Sequence, residues 1–570
     1  MRFRVTLTLL LCAFSAPGQN AVVNPDKASP ATIEKMQFAE AAPTFPSANY
    51  FRTIMRKTTP NIELKPPVHL SDYVADSKLE ISLRSYLDAV MANNTDISVQ
   101  KLSVEVFRNN ILRAFSVFDP LVTARFNATR TETPANDVLA GASALNSLSQ
   151  PTNFQWTQIL SSGAQYNVGF STLKSSTNST FQLFNPAISA NFNASFSQPL
   201  LRNRGSYLTK LPITIARSRL RGSEYNLQNQ VLQLVSNAEN AYWDVVLARE
   251  NVKVQEQALA LADTSLKRAQ RELELGAISS LDIYQPQAQF ANYQIQVSQA
   301  RYRLQQVEDV LRKQMGADLD PAIRRLPVVL TEPIDPPADI PMDREAIVQK
   351  AIDFRPDVKA ARQNIDIDDL NIKSAVNGLK PDFRLTGQYG AAGRGGPFTQ
   401  RQNVFQGDGT TGTVISTVPG GFGDALDQLF GFGFPVYGFG LTLTLPIRDR
   451  RASADYADAV VNKRLDALRV RSAEQTVRLD VLNAISLVEG SKANIELAKI
   501  ALDLAQKRVD AEQKKYDLGT STLFFLLDAQ TALNQAQSAL VNQSVNHRKN
   551  LTNLLRYTGE LLPERGIAIQ

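Results

Sequence analysis

The sequence predicts a mainly α fold with added β-strands, written as two internal structural repeats of long coiled-coil helices and short strand pairs. Three observations predict it. Two stretches step apolar residues by four and three over some thirty residues without a break. The chain matches itself when shifted by about half its length. Between the helical stretches lie short runs of period-two alternation.

The self-similarity sets the organisation. A shift of 243 residues places Leu275-Gly276 on Leu518-Gly519, Gln287 on Gln530 and Gly316 on Gly559. Farther upstream a shift of 261 places Asp96-Ile97 on Asp357-Val358, Ala114 on Ala375 and Pro120 on Pro381. The first repeat occupies residues 78–316 and the second residues 345–560. Between them the Pro-rich stretch 317–344, with DLDPAIRRLPVVLTEPIDPPADIP at its heart, reads as an extended linker. Each repeat opens with a helix, near Leu79–Phe115 and near Glu345–Leu379. A strand pair follows, within 119–200 and within 383–446. A very long helix comes next, 213–275 and 449–518, and a return helix closes the repeat, 279–315 and 522–557. Pro is absent from Ile447 through Leu562, as an unbroken helical hairpin requires.

The first seam runs through Ala241, Val245, Ala248, Val252, Gln255, Leu259, Ala262, Leu266, Ala269 and Leu273. Its counterpart runs through Ala484, Val488, Ser491, Ile495, Ala498, Leu502, Ala505, Val509, Glu512 and Tyr516. A sustained 3.5-residue repeat marks a coiled-coil seam, and small residues at alternate positions let neighbours approach closely. A second stripe recurs every seven residues at Leu247, Val254 and Leu261, and at Leu497, Leu504, Ala511 and Leu518. Two seams on one helix mean two helical neighbours, which fits a sheet of helices or a closed tube better than an isolated dimer. A soluble bundle with a buried stripe is the other arrangement these helices allow.

Ile188, Ala190, Phe192, Ala194 and Phe196 alternate with small polar residues, and Val122–Ala128, Tyr166–Phe170, Phe383–Tyr389 and Phe439–Leu445 repeat the pattern. One apolar and one polar face suit a transmembrane barrel, with lipid outside and water inside, or a soluble sandwich. The intervening Thr131–Gly163 and Ala391–Gly431 are rich in Gly, Ser, Thr, Asn and Asp and read as long surface loops. Four strands per chain cannot close a pore, since a barrel needs about eight. Several copies of the chain are therefore required.

Residues 1–18 carry Arg2 and Arg4, an apolar core Val5–Phe14 and small residues after it, the three-part pattern of a secretory leader. Residues 19–77 form an N-terminal extension of no assigned structure. The lone cysteine, Cys12, excludes an internal disulfide framework. His69 and His547 stand far apart, so no metal site or cofactor is expected. Neither a phosphate loop nor a catalytic constellation is visible, which argues against an enzyme. The balance of 61 Lys and Arg against 55 Asp and Glu is mild and interspersed, giving nucleic-acid binding no support.

With a leader, two repeats, strand pairs and long helices, the chain resembles the TolC family of outer-membrane efflux channels from about Leu79 to Gly559. The most specific marks are the paired turns Leu-Gly-Ala-Ile-Ser-Ser-Leu-Asp and Leu-Gly-Thr-Ser-Thr-Leu. The segments SFSQPLLRNRG (Ser195–Gly205) and LTLTLPIRDR (Leu441–Arg450) resemble the family's strand-to-helix corners. The resemblance implies a homotrimer: a membrane β-barrel with four strands per protomer, twelve in all, continued by a long α-helical barrel. It implies an outer-membrane location, contact with outer-membrane lipid and a large periplasmic portion. It also implies a passive exit duct for efflux or type I secretion, served by a periplasmic adaptor protein and an inner-membrane transporter. A periplasmic coiled-coil adaptor or scaffold is the alternative from another class, which the doubled hairpins and alternating strands oppose.

In such a channel Gly276 and Gly519 turn the hairpins at the periplasmic tips, and Leu275, Gly276, Leu518 and Gly519 are the candidate adaptor-docking residues. By position, Asp528 matches an aperture aspartate, and Asp282 and Tyr516 match the partners of a link that holds the aperture shut. Two departures stand out. Phe525 occupies a position that is acidic in the best-known members, so a ring of Phe525 is a candidate hydrophobic gate beside Asp528. Ser521 replaces the link arginine. Local readings stand beside these roles. Ser279-x-x-Asp282 is a capping-box pattern, so Asp282 also fits a plain helix cap. Tyr516 also fits core packing at a seam position, and Phe524–Leu527 also fit ordinary hairpin core.

Overall fold

The computed structural model describes residues 70, 74–75, 78–134, 142–180, 182–318, 321, 323–334, 343–402 and 413–568. The leader and almost all of the N-terminal extension lie outside them. Residues Pro67–Ile567 form one compact unit.

The first repeat begins with two short strands, β1 (Val74–Ala75) and β2 (Lys78–Ile81). The expected first helix is two helices, α1 (Leu83–Asn93) and α2 (Thr95–Phe115). They divide at Asn94, whose side chain accepts from the backbone N–H groups of Asp96 and Ile97 and so caps α2. The second repeat divides at the corresponding place. There α5 (Arg344–Phe354) ends at Arg355, and α6 (Pro356–Gly378) starts with proline in its first turn.

The strand region of the first repeat departs from the expected pair. It holds β3 (Leu121–Phe126), β4 (Thr129–Pro134), β5 (Ala144–Ile159), β6 (Gln165–Thr177) and β7 (Ala187–Pro199). The second repeat adds β9 (Asp382–Gly395) and β12 (Pro435–Thr444) to the same sheet, in the order β12-β9-β7-β6-β5-β3, with β4 also on β5. Because β3 and β4 lie one after the other along β5 in unbroken register, Phe126 facing Thr152 and Thr129 facing Ser149, the ladder is six strands wide. Among the described residues the sheet is thus six strands wide, where four per protomer were expected.

The reason lies in Pro151. A proline within an alternating run argues against an interior strand, because it cannot donate to the ladder. Here it faces the gap between β3 and β4, where Asn127 N–H donates to the Pro151 carbonyl at 3.0 Å and no return bond is needed. The polar stretch read as a surface loop is thus largely β5. The Ala391–Gly431 stretch is likewise structured. It holds the end of β9, the hairpin β10 (Phe398–Arg401) with β11 (Val414–Val418), and α7 (Phe422–Phe430).

Paired residues share a face. One face carries Val122, Phe154, Trp156, Val168, Phe170, Phe192, Phe196, Leu385, Tyr437, Phe439 and Leu441. The other carries Thr123, Gln155, Asn167, Ser171, Asn193, Ser195, Gln388 and Thr442. Against the apolar face lies α7, with Ala425 and Leu429 in a cluster with Ala190 and Ala391. A Cβ added at Gly393 would stand 1.9 Å from the Ala425 carbonyl oxygen, so only glycine lets the helix sit this close. Gly393→Ala is expected to unseat α7, seen as faster proteolysis within residues 413–434 while heat resistance of the whole protein is unchanged.

From the sheet the chain enters α3 (Leu211–Glu274) and α8 (Arg450–Asp517), of 64 and 68 residues. At 1.5 Å per residue they reach roughly 95 and 100 Å. The return helices are α4 (Tyr284–Gln314) and α9 (Leu523–Thr558). Among seam residues, Val245, Ala262, Ala269, Ala484, Val488 and Ile495 are buried. α3 packs on α4 and α9, and α8 packs on α9. Polar side chains bond across the helices: Asn534 donates to Gln255 at 3.2 Å, and Gln530 to Ser265 at 3.3 Å.

Part of the Pro-rich segment is also more than a linker. Val328–Leu330 forms β8, parallel to Leu79–Ile81 of β2. Ile81 of this small sheet accepts from the Tyr242 hydroxyl at 3.4 Å, and beside Tyr242 the fully buried Tyr86 of α1 donates to Gln314 at 2.6 Å, its ring tilted 5.8 Å from that of Tyr242. The matching core of the second repeat gathers Val348, Val358, Val481, Ile485 and Leu554. Among the described residues no helix is long and apolar enough to cross a membrane.

Candidate functional site

The two helical hairpins turn by one device. In the first, the N–H groups of Gly276 and Ala277 reach back to the carbonyls of Leu273 and Glu272, at 3.0 and 2.8 Å. In the second, Gly519 and Thr520 reach Tyr516 and Lys515, both at 2.9 Å. This paired arrangement needs a left-handed residue, and both glycines supply it with φ near +70° (71° and 70°). The leucine before each glycine is thrust into solvent: Leu275 is 84% exposed and Leu518 78%. Two large apolar side chains exposed at matched tips form a ready contact surface.

Just above the tips a cluster ties α3 to α8. Arg268 donates to Asp517 at 2.6 Å and to Glu272 at 2.9 Å, and its guanidinium lies 4.6 Å from the centre of the Tyr516 ring. The Tyr516 hydroxyl donates to Glu272. Each group thereby holds its neighbour's protonation state. Arg268 keeps the Asp517 carboxyl below the usual carboxylate range. Burial, followed by the bond to Glu272, pushes Tyr516 up to about 12. At neutral pH Asp517 is ionised and Tyr516 keeps its proton, so the cluster is a cation–anion–aromatic clasp.

The expected link partners are not brought together. Tyr516 bonds Glu272, whereas Asp282 takes part in a local turn: its side chain accepts from the Ser279 N–H at 3.3 Å, and Ser279 Oγ accepts from the Leu281 N–H at 3.2 Å. Asp282 thus behaves as the capping reading had it, although α4 itself begins only at Tyr284. Ser521 donates to Glu512 at 3.0 Å, beside the Lys515–Glu512 pair. An arginine does reach Tyr516, but from the other hairpin: Arg268. Sequence reading missed it because Arg268 and Asp517 are 249 residues apart. The signal available was a break in the internal repeat: the 243-residue shift sets Arg268 against Ala511 and Glu272 against Lys515.

Asp528 pairs with Arg508 of the same hairpin at 2.6 Å, with both side chains about half exposed. The apolar run divides. Leu526 and Leu527 are buried hairpin core, whereas Phe524 and Phe525 are exposed and meet edge to face at 5.5 Å. Asp528 and the two phenylalanines therefore stand free of the core at the start of α9. Among the described residues no group of three or more acidic, His or Cys side chains is placed to hold a metal.

Comparison with known proteins agrees with this anatomy. The model of the outer membrane efflux protein family matches residues 86–317 and 347–560, one segment in each repeat. The probable efflux pump outer membrane protein TtgC of Pseudomonas putida is 20% identical over 483 residues, covering 84% of this chain and 83% of its own. Outer membrane protein TolC of Vibrio cholerae is 24% identical over 423 residues, 71% of this chain and 88% of its own. Among solved structures, the Campylobacter jejuni CmeC outer membrane channel superimposes with a TM-score of 0.58 at 15% identity. It covers 89% of this chain and 91% of that one. The open-state MtrE outer membrane channel of Neisseria gonorrhoeae gives 0.56 at 18% identity, over 84% and 89%.

Proposed function

The chain belongs to the outer membrane efflux protein family, and from that premise we propose that three copies close one continuous duct, with a barrel of eighteen strands above a tunnel of twelve helices. It is an outer-membrane efflux channel with a periplasmic helical extension, and transport through it is not enzymatic.

The observation that carries the finer reading is the open six-strand ladder. Its edges, β12 on one side and β3 with β4 on the other, have no partner strand among the described residues. Outside the seat of α7 its apolar face is exposed, with Phe439 88% exposed. A long open edge beside an exposed apolar face is an aggregation hazard in water, and closure into a barrel in lipid removes both. Six strands from each of three copies make eighteen, a size that leaves an aqueous channel.

The helices support the same closure. Across the chain they lie side by side, from α2 and α4 through α3, then α6 and α9, to α8. The last helix exposes Val461, Leu468, Leu497, Leu504 and Leu518 at intervals of seven or multiples of seven within each run. The first edge exposes Val99 and Val106 on α2 and Ile295 and Tyr302 on α4, again seven apart. Complementary stripes on opposite edges make a head-to-tail contact that closes into a ring.

Tip leucines fit docking by a periplasmic adaptor, which in turn couples the duct to an inner-membrane transporter. Leu275→Asp with Leu518→Asp is expected to abolish export of toxic compounds in cells that depend on this channel, with membrane insertion unchanged. Fractionation tests the assembly: the outer-membrane fraction should hold a heat-labile species of three chains. A soluble periplasmic monomer would overturn the reading.

A further inference from the structure

We propose that α7 is an interfacial membrane helix, lying on the outside of the barrel at its outer rim with one flank in lipid acyl chains and its acidic side among the headgroups. The inference rests on the barrel reading above.

Position is the first support. α7 packs on Ala190, Ala391, Gly393 and Gly395, which all belong to the apolar face of the sheet. Its seat is therefore on the lipid side and not in the lumen. The seat lies at the end of β9 remote from the helical tunnel. From Asp382 to Gly393 a strand rises roughly 36 Å along its axis, or about 28 Å after a tilt near 40°. The apolar band of such barrels is about 25 Å tall, so the seat falls at its outer margin.

The residues of α7 are the second support. Ala425 and Leu429 face the sheet. Asp424, Asp427 and Gln428 occupy one side of the wheel, where Asp424 accepts from the Gly421 N–H at 2.6 Å and Gln428 from the Arg394 N–H at 3.0 Å. Phe422 and Phe430 flank the other side and are exposed, together with Phe432 just beyond. The Phe432 ring lies 6.3 Å from that of Tyr389, which is closer than Ala391 to the tunnel end of β9. The start of α7 lies on Gly395 and its last turn on Gly393, so Phe430, followed by Phe432, stands nearer the middle of the membrane than Phe422 does. An amphipathic helix with this division settles at the acyl–headgroup boundary. The surface is continuous with the lipid-facing sheet, and the seat on β9 and β7 leaves the β12 edge strand free to pair.

Spin labels test the depth. The background carries Cys12→Ser, and single labels are placed through Asp427→Cys, Phe430→Cys and Phe439→Cys in full-length protein reconstituted in phosphatidylethanolamine–phosphatidylglycerol vesicles. Relaxation by oxygen relative to a water-soluble nickel chelate is then measured. The expected ratio at position 430 is several-fold that at 427 and approaches that at 439, which sits on the apolar face of β12. Equal, water-like ratios at 427 and 430 with a lipid-like 439 would overturn the inference alone. So would a label at 430 shielded from both reagents, which would seat the helix against a neighbouring copy. A water-like 439 would overturn the barrel reading, and the inference with it.

Discussion

Channels carrying Arg268→Ala conduct several-fold more current across planar bilayers than the native protein, because the clasp between α3 and α8 is lost at every tip. Arg268 is the hub: it bonds Asp517 and Glu272 and covers the Tyr516 ring. These groups are partly exposed, so each clasp is weak by itself. In the proposed duct of three copies, three clasps act together and their effects on the closed state multiply. Tyr516→Phe should open the channel less, since the cation–ring contact survives the loss of one hydroxyl. The pH dependence follows from the shifts. A carboxyl with a lowered pKa contributes above that value and loses its contribution as pH falls through it. Asp517 is held below the ordinary value of about 3.9. Conductance through the native channel should therefore stay flat from about pH 8 to about pH 5. Asp517→Asn should reproduce at neutral pH the opening that acid alone would produce only below that range. Tyr516, up at about 12, keeps its donor throughout. Unchanged conductance in Arg268→Ala would remove the clasp from the account of closure.

Arg565→Ala lowers the heat resistance of the protein sharply. Glu239 sits inside the bundle on α3, 1% exposed. It accepts two bonds from Arg565, at 2.5 and 3.0 Å, and one from Thr552 at 2.8 Å. Removing one partner leaves a buried carboxylate without its counter-charge, which costs about 3–5 kcal/mol in comparable pairs. The arginine is itself partly exposed, so the lower end of that range is expected. Calorimetry should show a melting temperature several degrees lower in Arg565→Ala. Combining it with Glu239→Gln should restore part of the loss, because the stranded charge is then gone. An unchanged melt in the single variant would mean that water already serves Glu239.

The long helices were legible because a seam must repeat. Val245, Ala262, Val488 and Ile495 are buried for the same reason that their spacing is visible. The hairpin glycines were legible too, since left-handed turns at 276 and 519 admit few other residues. By contrast, β5 was hidden by Pro151 and by a run of Ser, Asn and Gln that resembles a loop. Its strand character depends on neighbours on both sides, which no local pattern records. α7 was hidden among glycines whose purpose, close approach to a helix, appears only when Gly393 meets Ala425. The tip clasp illustrates the limit for sites. Tyr516 was identified from its position, but its partners came from a different hairpin segment, and Asp282 was kept by its own turn.

Electron cryomicroscopy of the purified protein in lipid nanodiscs tests the assembly most directly. Three chains should enclose one hollow path, with eighteen strands around its upper part and twelve helices around the tunnel below. A single self-contained chain, helices bundled about a filled centre, or twelve strands with the β5–β6 hairpin outside the ring would contradict it.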